Sequence, residues 1–463
     1  MSCSPIISLK ARCALFFVVL STSISVCSEA LPAGSLNSPA SLNSTLTLKY
    51  ALQKVRSNDL SLVRFGIDAQ SYRAEADANE YLPDPTLFAA VQSIPTDTFD
   101  LDQEPMTQLR FGVRQMFPKG NSLDIKKDMS LINSGIQGIK QNLRWQKLRL
   151  NTEVAWLEAW YWQKNKQLIE EDRVFLIQVQ DFIQSLYQIG AKGQSDLIGA
   201  QLELIKLNEK QIEADRQFRR YRHRLNTLAN ETLLGDQLSQ DLVQIDQIGL
   251  DLSDTESVVA RLLKHPEVRV LDQHVDLFEK KVNLAEQAFE PMWGLEFSYG
   301  LRDGENNDGS NRADFLSAGV SVQLPLFTQG KQNSALTAAR FKQESIQNNR
   351  LELIQKMSFQ LESVHQQYLS TVDQRQLYEN QILPTLAKQK ESALNSYESD
   401  QGDFRTVTEL FIKELDTKIK HQRLQVNEQL MIAKMNYWIS SDSEKKEREE
   451  STNKNRATGE LTQ

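Results

Sequence analysis

Cysteine is nearly missing from this sequence of 463 residues. The three present, Cys3, Cys13 and Cys27, all fall within the first 27 positions, so no disulfide framework staples the rest of the chain. Histidine is sparse as well. The five histidines are scattered, with no cysteine pairs beside them, which leaves no metal site with recognisable ligand spacing. No phosphate loop and no nucleophile–base pair stands out, so nothing supports an enzyme or a resident cofactor. Positive charge is in deficit. The formal net charge is -8, which argues against nucleic acid as a partner. Beyond the N-terminus there is no long apolar run, and 25% of residues are charged, so a bundle of membrane-spanning helices is excluded. Finally, proline is absent between Asn121 and Gln188, where the only glycines are Gly135 and Gly138.

The N-terminus carries the one apolar run. Lys10 and Arg12 precede a short stretch from Ala14 to Leu20, and small residues follow. This is the pattern of a secretory signal over residues 1–30, with cleavage after Ala30; a retained anchor is the alternative. Ile24-Ser25-Val26-Cys27 resembles a lipoprotein box with a bulky Val26 where a small residue is usual. Cys27 is therefore a candidate lipidation site, and plain cleavage is the favoured reading.

From Leu46 to about Leu82 apolar residues and alanines recur at helical spacing, and Pro83-Asp84-Pro85 stops the run. Two strand-like segments follow, at about 86–94 and 106–116, separated by the acidic loop 95–105. In the second, Leu109, Phe111 and Val113 alternate with Gln108, Arg110, Gly112 and Arg114. The proline-free stretch 121–188 then shows apolar residues at alternating spacings of four and three, such as Ile125, Met129, Ile132, Ile136 and Ile139. That is a coiled-coil repeat, with a phase shift near 146–154. As one helix it would reach about 100 Å. Gly190 to Gly193 break the pattern, and a second helix runs back from Leu197 to about Leu228. Residues 231–256 are acidic and irregular, and a helix follows over about 267–289.

Strands then return. Trp293, Leu295, Phe297, Tyr299 and Leu301 alternate with small and polar residues, as do Leu316, Ala318, Val320, Val322 and Leu324. A second long helix leads to about Tyr397 with Pro384 as a kink, and a second tip and a last helix to about Trp438 follow. The polar tail 441–463 lacks the apolar content to fold. Tyr187 and Tyr397, and likewise Gly112 and Gly319, lie about 210 residues apart, so one unit is duplicated. The repeats span 31–240 and 241–440. Each supplies two strands of 9–11 residues, enough to cross a bilayer when tilted. Four strands cannot close a barrel, and lipid does not tolerate an open edge, so spanning requires several chains. A soluble four-stranded sheet is the competing reading.

The two tips, the two strand pairs and the duplication together resemble the TolC family of outer-membrane efflux and secretion channels, over residues 46–440. Family tips read Tyr-x-x-Gly with an acid nine positions after the tyrosine. Tyr187, Gly190 and Asp196 fit, with Gly193 also in the turn. In the second tip Tyr397 fits, but Asp400 replaces the glycine and Thr406 the acid, with Gly402 close by. The segment 82–120 and His265-Pro266-Glu267 are similar to the branch that serves heavy-metal pumps of the resistance-nodulation-division type. The resemblance implies a mainly α fold with a membrane β-barrel portion. Long antiparallel coiled-coil hairpins would form a periplasmic α-barrel, and four strands from each of three chains a twelve-stranded barrel. It implies a homotrimer in the outer membrane of a Gram-negative bacterium, in contact with outer-membrane lipid. The tips would meet a periplasmic adaptor and an inner-membrane pump, and substrates (metal ions or small toxic compounds) would pass out passively.

On this reading Glu409 forms an acidic ring at the pore constriction, the plainer alternative being a solvated helix carboxylate. Asp196 bonds across to the neighbouring hairpin or caps its helix. Leu109, Phe111, Val113, Trp293, Leu295, Phe297, Tyr299, Val320 and Val322 face lipid. Trp156, Trp160 and Trp162 pack between helices, and His265 is structural. The alternatives are a duct for type I protein secretion and a periplasmic coiled-coil scaffold without a channel.

Overall fold

The computed structural model describes residues 45–190, 193–235, 237–247, 254–306, 308–399 and 401–440. The signal segment with Cys27, Asp400 and the tail 441–463 lie outside the described residues.

The first helical stretch is two helices, α1 (Leu48–Asn58) and α2 (Leu60–Asn79), where the periodicity predicts one. Asp59 divides them. Its backbone is extended, its carboxylate accepts from the Leu62 N–H at 2.9 Å, and it takes a second bond from Arg144 at 2.7 Å. A short acidic side chain that satisfies an exposed N–H starts a new helix. The apolar period runs on through the break, so the pattern could not reveal it. Strands β1 (Thr86–Gln92) and β2 (Gln108–Phe117) follow. β1 ends two residues early because Ser93 turns into the left-handed region (φ 59°), where the Thr107 hydroxyl donates to its carbonyl at 2.8 Å.

Helix α3 (Ser122–Gln188) is unbroken over 67 residues. α4 (Gln194–Ala229) returns, α5 (Thr255–Leu262) is short, and α6 (Pro266–Glu286) opens on His265, whose Nδ1 accepts from the Glu267 N–H at 3.2 Å. Strands β3 (Met292–Leu301) and β4 (Phe315–Gln323) lead into α7 (Lys331–Leu377), α8 (Leu383–Glu398) and α9 (Phe404–Ile439). The kink at Pro384 takes the form of a π-helical turn, Tyr378–Ile382. Proline has no N–H for the carbonyl four residues back, and the widened turn absorbs the mismatch without ending the helix. The duplication is visible in the starts of elements: α3 and α7 open at 122 and 331, α4 and α9 at 194 and 404.

The long helices pack in a defined order. The first half of α3 lies against α2, held by Lys127–Glu80, Asn79–Ser130 and Gln141–Leu62, and against α6 through Lys280–Asp128. Its second half pairs with α4 through Lys166–Asp215 and Arg173–Asn208. α9 joins the two hairpins. Arg423 grips Glu158 of α3 with two bonds of 2.8 Å, and Phe175 stacks on Phe411 at 4.1 Å between centroids. α9 in turn holds α7 through Arg375–Glu428 and α8 through Lys390–Glu414. Neighbours therefore run α2, α3, α6, α7 in one half and α4, α3, α9, α8 in the other.

The main core gathers where these series meet, around Trp156, Leu157, Trp160, Leu225, Leu238 and Val426. Trp156 is fully buried, and the Trp160 indole donates to the Gln240 carbonyl at 3.2 Å. Towards the tips the core thins to Ile169, Leu176, Leu207, Ala214 and Leu415, and then to Ile183 and Ala200. No described helix is long and apolar enough to cross a membrane.

Candidate functional site

Two regions carry the features that the sequence singled out: the sheet and the hairpin tips. The sheet has the order β1-β2-β3-β4, antiparallel throughout. Its register sets Leu87 beside Val113, Val113 beside Phe297, and Phe297 beside Ala318. Because strand side chains alternate, this places Leu109, Phe111, Val113, Trp293, Leu295, Phe297, Tyr299, Val320 and Val322 on one face, with Leu87, Val91, Leu301 and Leu316. None of the strand residues on that face is charged. The face lies open: Leu316 is 83% exposed and Phe297 55%. Nothing among the described residues covers it.

The opposite face is polar. Arg110, Gly112 and Arg114 stand against Gly300, Ser298 and Glu296, with Ser317, Gly319 and Ser321 beyond. Arg110 donates to Ser298 at 2.7 Å and to Glu296 at 2.8 Å, and Arg114 donates to the same carboxylate at 2.5 and 2.9 Å. Beyond the strands, Arg302 and Arg312 bind carbonyls of the 95–105 loop, at Pro105 and Asp102, and so fasten the two connecting loops together. The outer edges of β1 and β4 have no partner strand among the described residues.

The first tip follows helix C-terminal chemistry. The N–H of Ile189 reaches back to Ser185, and Gly190, at φ 75°, donates to Tyr187 at 3.0 Å. Tyr187 is on the last turn of α3 and exposed. Gly193 is the N-cap of α4, so Asp196 does not cap the helix, contrary to one of the two sequence readings. It sits in the first turn as the third helical residue, where a carboxylate complements the helix dipole.

The second tip is tighter. Gln401 donates to the Ser396 carbonyl at 2.9 Å, and Asp403 caps α9 by accepting from the Arg405 N–H at 3.3 Å. Gly402 packs so closely that an added Cβ would stand 2.8 Å from the Tyr397 nitrogen. Tyr397 packs on Ile183 and Ala200, joining the second tip to the first hairpin. Thr406 lies in the first turn of α9. Glu409, one turn on, is bound by Arg405 at 2.8 Å, with side chains 64% and 76% exposed. That partner escaped the sequence reading, although an Arg four residues before a Glu on a helix is itself a recognisable pair. Tips and sheet stand at opposite ends of α3 and are not brought together. Among the described residues no cluster suited to a metal occurs.

No family model matches the chain, and no curated protein matches it. Solved structures do. The chain is similar to CusC, studied for its folding and transmembrane channel formation, with a TM-score of 0.72 and 15% identity over 88% of this chain and 96% of that one. It is similar to the outer membrane protein VceC of Vibrio cholerae, with a TM-score of 0.68 and 13% identity over 85% and 96%. It is also similar to the Campylobacter jejuni CmeC outer membrane channel, with a TM-score of 0.66 and 14% identity over 91% and 94%. At such identities the likeness is one of fold.

Proposed function

We propose that this chain is a TolC-family outer-membrane duct, a passive exit for substrates delivered by an inner-membrane pump. One observation carries the reading. The sheet has an exposed apolar face free of charge and two outer edges unpaired among the described residues. In water that face would cost about 25 cal/mol for each Å² left exposed. Against lipid it is at home, provided that the edges close. Edge β1 of one copy meeting edge β4 of the next closes the wall, and three copies give the twelve strands of the resembled family. A soluble scaffold leaves the apolar face unexplained.

The helices support the same assembly. α2 and α4 end the packing series on one side, α7 and α8 on the other. These end helices carry exposed Leu60, Val63 and Ile67, Ile198, Leu202 and Ile205, and Phe341, Phe359 and Leu377. On this proposal the repeats 31–240 and 241–440 each supply a sixth of a periplasmic tube. Tyr187, Gly190, Gly193 and Asp196, with Tyr397, Gly402 and Thr406, form the adaptor-facing end, and Glu409 lies at the constriction. Metal ions or small toxic compounds are the proposed cargo, and the adaptor and a resistance-nodulation-division pump the proposed partners.

The test is twofold. The purified chain reconstituted in planar bilayers is expected to give unitary conductance steps. A strain lacking it is expected to grow less well on metal salts or small toxic compounds. A trimer that inserts and does not conduct overturns the reading. A strain that loses only a secreted polypeptide moves the cargo to protein secretion.

A further inference from the structure

The polar face of the sheet holds a compact charged assembly that a plain duct does not need. Phe88 of β1 lies across β2 over Gly112: a Cβ there would stand 2.5 Å from the ring. The ring forms a floor under two guanidinium groups, with Arg110 at 5.5 Å and Arg114 at 5.7 Å from its centre. Both arginines share the single carboxylate of Glu296. Every other strand residue on that face is uncharged, so two positive charges meet one negative charge. The inner guanidinium is spent on Glu296 and Ser298. The outer one, Arg114, keeps 51% of its side chain exposed. Guanidinium does not lose its proton in a protein, so the excess charge persists at every physiological pH.

We infer that Arg114, steadied by Phe88 and Glu296, forms an anion-attracting station on the inner wall of the barrel and raises its permeability to anions. The inference rests on the duct reading above. In three copies the excess is one positive charge per chain at one level of the lumen, and rings of fixed charge of this kind bias which ions pass. The class favoured is small anions and solutes bearing a carboxylate or phosphate group, since a planar guanidinium with free N–H donors matches those groups.

The experiment is the reversal potential of the reconstituted full chain in a potassium chloride gradient. Arg114→Gln is expected to lower the chloride-to-potassium permeability ratio by roughly twofold at 0.1 M salt, and by more at 0.01 M, where the screening length grows from about 10 to about 30 Å. Glu296→Gln is expected to raise the ratio, and Arg114→Lys to leave it in place. Equal ratios in wild type, Arg114→Gln and Glu296→Gln overturn the inference while the duct stands. If Arg114→Gln fails to assemble, Glu296→Gln decides alone, and an unchanged or lowered ratio overturns it. A wild-type chain without conductance removes the duct itself, an outcome distinct from the others.

Discussion

Gly402 shows how much of the second tip depends on one missing methyl group. The Cβ of an alanine there would press on the backbone of Ser396 and Tyr397 at 2.8–2.9 Å, and backbone has little room to give. Gly402→Ala is expected to weaken hydrogen-exchange protection over 396–406 by about 1–3 kcal/mol, leaving the main core untouched. Gly190→Ala should cost roughly 1 kcal/mol at the first tip, through its positive φ alone. Equal protection in Gly402→Ala and wild type would show that the second tip is looser than its packing implies. Glu409 has a different lesson. Bound to Arg405 at 2.8 Å, it offers the proposed constriction an ion pair instead of a lone acid. Glu409→Ala would remove the acid that binds the Arg405 guanidinium and leave it only the weaker field of Asp403, so the charge at the constriction should shift by one unit towards positive. Conductance recordings should show a turn towards anions, reversed in the double variant Arg405→Ala/Glu409→Ala.

At the scale of the element, the legible features were those set by period. An apolar repeat sustained over 67 residues can be satisfied by little except a helix, and α3 begins and ends within a residue of the expectation. Period-2 alternation placed β2, β3 and β4 within two residues. What escaped was decided by single side chains working against or across that period. Asp59 opens a second helix inside an unbroken apolar pattern, and the kink expected at Pro384 takes the form of a π-helical turn just before it. The assembly of Phe88, Arg110, Arg114 and Glu296 was illegible for another reason. It joins positions about 200 residues apart, and only the register β1-β2-β3 brings them together. On α7, Phe341, Phe359 and Leu377 repeat every eighteen residues, five full turns, and so form one exposed line. If the proposed trimer is the solution state, Phe359→Ser is expected to shift the detergent-solubilised protein from trimer to smaller species in light scattering. An unaltered mass would place that line outside the subunit interface.

For the whole molecule, acid is the condition to watch. Burial, with Lys140 and Lys281 nearby, depresses the pKa of His274. Burial likewise depresses that of His421, whose surroundings also include Glu379 and Arg375. Both groups bind protons less readily folded than unfolded. Their contribution is fully present above the ordinary histidine value near 6.5, and it is lost as pH falls from there towards the depressed folded values. The melting temperature should therefore drop between pH 7.5 and 5.5, and less steeply in His421→Gln. A melting temperature that is level across that range in wild type would mean that both imidazoles accept protons freely in the folded state.

The unpaired outer edges of β1 and β4 have a consequence for supply. A single folded chain is an unfinished product, with sticky borders and an oily face that invite the wrong neighbour. On the proposal of a trimeric duct, completion draws on three such chains at once. While chains are scarce, the number of finished ducts then rises with the cube of their concentration, and halving synthesis cuts yield to roughly one-eighth. On that proposal, a cell gains by making the chain in bursts and by shielding each new copy until two others are at hand.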